Sequence, residues 1–113
     1  MVTIESFREL ALAFEETDEH DHWSKPSFRV KKKIFATLWP VEKRVVLKLS
    51  LVNQSVFCDL DKEIFYPVSG AWGRQGWTTI ELKKVSKKLL KEILTSAYCE
   101  VAPKKLSERY LKK

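Results

Sequence analysis

Three glycines, two cysteines, two histidines and one methionine are all that 113 residues contain of these types, and each scarcity removes a class of protein. Cys58 and Cys99 stand far apart and belong to no CxxC or CxxxH pattern, which argues against a disulfide scaffold and against a zinc motif. Both are expected as buried, reduced thiols. Two histidines leave little material for a metal centre, and no GxSxG or equivalent nucleophile signature occurs. The expectation is a protein that is not an enzyme and has no cofactor and no metal site. Long apolar runs are missing too: no segment approaches the ~20 residues a bilayer crossing needs. The start, MVTIESFREL, lacks the basic and apolar regions of a secretory signal. A cytoplasmic monomer with no membrane contact is therefore expected.

What is present is enough for one ordinary folded domain over residues 1–113, with 44% hydrophobic, 12% aromatic and 32% charged residues. The formal charge is +6, and it is unevenly spread. Residues 1–22 hold one arginine against seven acids, whereas residues 23–50 hold eight bases against one acid and residues 83–113 ten against three. A basic excess of this kind favours an acidic partner.

Periodicity sets out the elements. Thr3 caps a helix in which Ile4, Phe7, Leu10, Ala11 and Phe14 form one stripe, running to about Glu16. The acidic run EETDEHD breaks the pattern and reads as a solvated loop; its His20 and His22, with Glu15, Glu16, Asp18, Glu19 and Asp21, would hold a cation only loosely. Strands follow around Phe28 and Val30, then Ile34, Ala36 and Leu38 with Phe35, Thr37 and Trp39 between, joined by a tight basic turn at residues 31–33. RVVLKLS is a third strand, NQSVFCDLDKE a short helix with Asn53 as its cap, EIFYPV a fourth strand and WTTIEL a fifth. On the fifth, Trp77, Thr79 and Glu81 share one face and Thr78, Ile80 and Leu82 the other. SKKLLKEILTSAYCEVA is an amphipathic helix ended by Pro103. KKLSERYLKK either forms one more short helix or frays. The order α-β-β-β-α-β-β-α, with hairpins between most strands, predicts a two-layer α+β domain: a five-stranded, mostly antiparallel sheet with helices on one face.

All three glycines and two of the four tryptophans fall in SGAWGRQGW. Gly70, Gly73 and Gly76 suit a sharply turning connection between strands better than a phosphate loop, which would open a helix instead. The cationic candidates for contact with a phosphate backbone are Arg29, Lys31, Lys32 and Lys33 at one hairpin, Lys43 and Arg44 at the next, Arg74 with Gln75 in the glycine loop, and Lys104 with Lys105. Lys84, Lys87, Lys88 and Lys91 lie on a helix exterior and read as a solvated face.

The segments HWSKPSFRV, KIFATLWP, FYPVSGAWGRQGWTTIEL and AYCEVAPKKL occur in an order that resembles the MmcQ/YjbR family of small bacterial proteins, from about Phe7 to Leu106. The resemblance implies a compact CyaY-like α+β fold, related to frataxin-type and secretion-chaperone-type architectures. It also implies DNA binding through paired hairpins likened to a double wing. The motif positions it carries over are His22, Trp23, Pro26, Phe28, Phe35, Trp39, Pro67, Gly73, Gly76, Trp77, Ala102, Pro103 and Lys104, most of them scaffolding by residue type. Two functions follow as expectations. The first is binding of duplex DNA by the basic hairpin tips and the 70–76 loop, through counterion release. The alternative is a protein- or ligand-binding adaptor in which Trp39, Tyr66, Trp72 and Trp77 line an aromatic groove.

Overall fold

The computed structural model describes residues 2–22 and 25–111, so the motif position Trp23 lies outside the described residues. The chain runs α1 (Ile4–Leu12), β1 (Thr17–His22), β2 (Lys25–Val30), β3 (Lys33–Trp39), β4 (Arg44–Lys48), α2 (Leu51–Leu60), β5 (Phe65–Pro67), α3 (Ala71–Arg74), β6 (Trp77–Glu81), α4 (Lys87–Val101) and α5 (Lys104–Leu111). Among the described residues the sheet has six strands, not five, in the order β1-β2-β3-β4-β6-β5, and every neighbouring pair is antiparallel. Among the described residues no helix is long and apolar enough to cross a membrane.

The extra strand is the acidic run expected as a loop. β1 has no apolar alternation to announce it; opposite charges hold it instead. Asp18 lies directly across from Arg29 of β2 and accepts from its Nε at 2.9 Å. Glu19, on the other face, takes a two-point grip from Arg8 of α1, at 2.8 and 2.9 Å. Directly opposed charges stabilise a strand pair much as apolar pairs do. Helix α1 accordingly stops at Leu12 rather than Glu16. The chain turns at Glu16, where φ is +63°, and Thr17 Oγ1 donates to the Phe14 carbonyl at 2.8 Å.

Caps fix the helix starts. Thr3 accepts from Ser6 N and Ser86 from Leu89 N, while α2 is capped by Ser50, whose hydroxyl accepts from Asn53 N; Asn53 itself is not the cap. The α4 stripe of Leu90, Ile93, Leu94, Ala97 and Tyr98 is buried. It packs on Phe35, Leu38, Val45 and Leu47, while Phe7 of α1 meets Phe28 edge-on at 5.4 Å. Phe14 stacks on Tyr98 at 4.6 Å, and the Tyr98 hydroxyl donates to the Glu15 carbonyl, securing the turn after α1. Burial, followed by the neighbouring Tyr110, pushes the Tyr98 phenol up to about 12. Cys58 and Cys99 are free and half-buried rather than fully buried, and burial raises both thiols.

One irregularity decides which side chains face away from the helices. β2 pairs Phe28 with Ala36 but Arg29 with Ile34, so β3 carries one extra residue at Phe35. This β-bulge turns both Phe35 and Ala36 into the core and Ile34 onto the opposite face, correcting the strict alternation expected for β3. On β6 the expected faces hold: Thr78, Ile80 and Leu82 are buried against the helices.

Candidate binding groove on the open sheet face

Helices α1, α2, α4 and α5 lie on the core face of the sheet, and among the described residues no second layer covers the opposite face. Strand alternation and the bulge line that face with Lys25, Ile34, Thr37, Trp39, Arg44, Val46, Lys48, Trp77, Thr79 and Glu81. An antiparallel sheet ordinarily places polar residues on such a face. Here its middle is aromatic and aliphatic. A cavity of about 350 Å³ is lined by Lys25, Ile34, Thr37, Trp39, Val46, Val68, Trp72 and Trp77. A second, of about 260 Å³, is lined by Trp39, Arg44, Val46, Tyr66, Pro67, Val68, Ser69 and Thr79. Trp39, Val46 and Val68 belong to both, so the two form one groove across β3, β4, β6 and β5.

The glycine loop builds one wall. The four residues of α3 raise Trp72, 61% exposed, beside Trp77, with their ring centroids 6.2 Å apart at 69°. The segment thus contains a helical turn rather than being a plain hairpin connection. The glycines answer to close backbone packing. A Cβ on Gly73 would lie 1.8 Å from the Val68 carbonyl oxygen, and one on Gly76, where φ is +106°, 2.0 Å from that of Leu49. Gln54, buried on α2, locks the wall from behind: its Nε2 donates to the Gly73 carbonyl at 2.9 Å and to Thr78 Oγ1 at 3.1 Å.

Lys25 roofs the centre of the groove, its Nζ 4.5 Å from the centroid of the Trp39 ring, a cation–π contact. At the far end the Tyr66 hydroxyl donates to Glu81 Oε2, and Arg44 Nε donates to the same oxygen at 2.8 Å. Burial raises the Glu81 carboxyl, but the hydrogen bonds from Tyr66 and Arg44 outweigh it and leave the group below an ordinary glutamate. Burial and the bond to Glu81 raise the Tyr66 phenol. The polar groups at this end satisfy one another, so the groove offers apolar surface with a fixed polar rim.

Trp39, Tyr66, Trp72 and Trp77 therefore meet in one place. Lys25, Ile34, Val46, Val68 and Glu81 join them and were missed in the sequence, because only the strand order brings them together. The cationic candidates are dispersed. Lys31 and Lys32 form the β2–β3 turn and Lys33 opens β3, while Lys43 and Arg44 lie at the opposite end of that strand. Arg74 and Gln75 end α3, and Lys104 and Lys105 open α5 on the helical side. Arg29 is paired with Asp18, Lys31 with Glu16, Arg44 with Glu81 and Lys104 with Glu108. Among the described residues His20 and the nearby acids form no cluster of three or more metal-ligating groups.

A two-layer α+β protein with one sheet face left open is the class these features define. The YjbR family model matches residues 12–100, and the chain belongs to the YjbR family. Its fold is similar to the crystal structure of Deinococcus radiodurans protein DR2400, described as a DUF419 domain, with a TM-score of 0.80 and 19% sequence identity. That likeness covers 96% of this chain and 88% of the other. No curated protein matches the chain significantly.

Proposed function

We propose that this protein is a non-catalytic binding module whose open sheet face takes an extended segment of a partner protein bearing aromatic or aliphatic side chains. One observation carries the reading: three tryptophans and a tyrosine line an uncovered groove, with Trp72 61% exposed at its edge. Tryptophan, tyrosine and arginine dominate the energetics of protein contacts, and the two aromatic residues present large area at low conformational cost. Monomers rarely leave such surface bare without use. Selection from a random peptide display library tests the proposal, with a Trp39→Ala, Trp72→Ala double variant as the counter-selection. Peptides retained by the native protein and lost by the double variant support it. Failure to enrich any peptide, or equal retention by the two proteins, refutes it.

A second reading, duplex DNA binding by phosphate contacts, is favoured by the two hairpin turns. Lys31, Lys32 and Lys43 all adopt positive φ, at 50°, 70° and 57°. Such backbone costs a lysine energy that asparagine or glycine would avoid, so the charge at these tips has a reason of its own. Titration of a labelled duplex at ~50 and ~200 mM salt distinguishes the readings, since several phosphate contacts make affinity fall by orders of magnitude.

A further inference from the structure

The groove carries charge of one sign. The residues lining its two cavities include two cations, Lys25 and Arg44, and no acid. Each tryptophan borne on β3 and β6 has a cation directly beside it. Trp39 faces Arg44 across β3 and β4 and lies under the Lys25 ammonium, while Trp77 faces Lys48 across β6 and β4. Lys48 Nζ donates to the Gln75 carbonyl, a neutral acceptor that leaves its charge uncompensated. Among the described residues neither Lys25 nor Lys48 takes part in an ion pair.

Glu81 borders the groove on β6 and offsets only Arg44. That bond uses Arg44 Nε; among the described residues the guanidinium makes no other hydrogen bond, so its two terminal nitrogens are left for a second carboxylate. The acids of the N-terminal run lie on β1, at the far edge of the sheet, where Asp18 and Glu19 are taken up by Arg29 and Arg8. Cations that serve solubility alone are ordinarily interspersed with acids. Here they stand beside indole rings, and no acid lines the cavities between them.

We infer that the segment the groove takes is acidic. It sets an aromatic or aliphatic side chain over Trp39 and a carboxylate side chain to either side, one at the terminal nitrogens of Arg44 and one at Lys25. The inference rests on the reading of the groove as a site for a protein segment and adds the chemistry of that segment. Apolar area supplies most of the affinity, and the charges choose the partner, since interfacial charges govern specificity and encounter more than strength.

Sequencing the peptides from the display selection is the first test. Those retained by the native protein and lost by the Trp39→Ala, Trp72→Ala double variant should be enriched in aspartate and glutamate beside their aromatic residues, relative to the library. The most enriched peptide, synthesised with both ends blocked, should lose about threefold in affinity for each carboxylate changed to its amide, as for a partly exposed charge pair. It should also bind more weakly at ~500 than at ~50 mM salt. A lysine scan of its carboxylates should find one position whose replacement weakens binding to the native protein and strengthens binding to Lys25→Glu, a reversal that damaged folding would not produce. Groove-dependent peptides without acidic enrichment, amide versions that bind as tightly, or the lack of any such reversal would overturn the inference while leaving the groove a protein-binding site. Failure to enrich any peptide would overturn both. Displacement of the peptide by single-stranded oligothymidylate at comparable concentration would assign the cations to phosphates and overturn the inference too.

Discussion

Lys25 lies over Trp39, its ammonium 4.5 Å from the ring centroid, and the contact joins edge-side strand β2 to the middle of the sheet across the groove floor. Trp39 is half-buried and belongs to both cavities, so it joins the two halves of the groove without belonging to the helical core. Trp39→Ala should therefore lower affinity for a groove ligand about 30-fold, the ~2 kcal/mol of a hot-spot residue. The same change should cost no more than ~1 kcal/mol of folding stability, as is usual away from the core. Peptide titration and urea denaturation check the two halves. A variant that unfolds while binding normally in its folded fraction would contradict the assignment.

Gln54 is the clasp between helix α2 and the tryptophan wall. Gln54→Leu removes the side-chain donor to the Gly73 carbonyl, which keeps its bond from Gly76 N at 3.0 Å, so stability should fall by ~0.5–1.5 kcal/mol, the net contribution of a hydrogen bond. The Trp72 and Trp77 fluorescence should also change in the folded protein. Unaltered fluorescence and stability would show that the wall stands without the clasp.

Gly76 combines positive φ with a carbonyl oxygen 2.0 Å from where a Cβ would be. Gly76→Ala should destabilise by more than ~3 kcal/mol, because strain and overlap add. Gly70, at φ +79° but with nothing within 4 Å, should cost less when changed to alanine. Equal melting temperatures for the two variants would remove close packing as the reason for the glycine cluster.

The Glu81 carboxyl, held below an ordinary glutamate by Tyr66 and Arg44, links stability to pH. A depressed folded pKa contributes stability that is present above the unfolded value of ~4.3 and is lost as pH falls through the folded value. Urea midpoints of the native protein and Glu81→Gln should thus differ at pH 7 and draw together progressively as the pH falls below the unfolded value. A difference that persists unchanged into acid would mean that the network does not depend on the carboxylate.

Much of this architecture is written in local pattern. Thr3, the α1 stripe, the α4 stripe and the two faces of β6 follow from caps and periodicity, because burial dictates residue type there. Strand β1 escapes that logic: it is held by Asp18 facing Arg29 and Glu19 gripped by Arg8, and charge pairing leaves no alternation to read. The bulge at Phe35 is likewise silent in sequence, since Ile34 and Phe35 are both apolar and nothing in their types says which faces the core. For the groove, the four aromatic residues were legible as a cluster of large rings near glycines. Lys25, Val46 and Val68 were not, because their proximity exists only once β2, β4 and β5 take their places in the sheet. The basic candidates show the limit of reading charge along a chain: the tips at residues 31–33 and 43–44 fall at opposite ends of β3.

The central claim, that the open face is the binding surface, is tested most directly by nuclear magnetic resonance of the indole N–H groups during titration with a display-selected peptide. The account predicts saturable shifts for Trp39, Trp72 and Trp77, with the amides of α4 and α5 unmoved. Shifts confined to the helical layer or to the Lys31–Lys33 turn, with the three indoles unchanged, would contradict it.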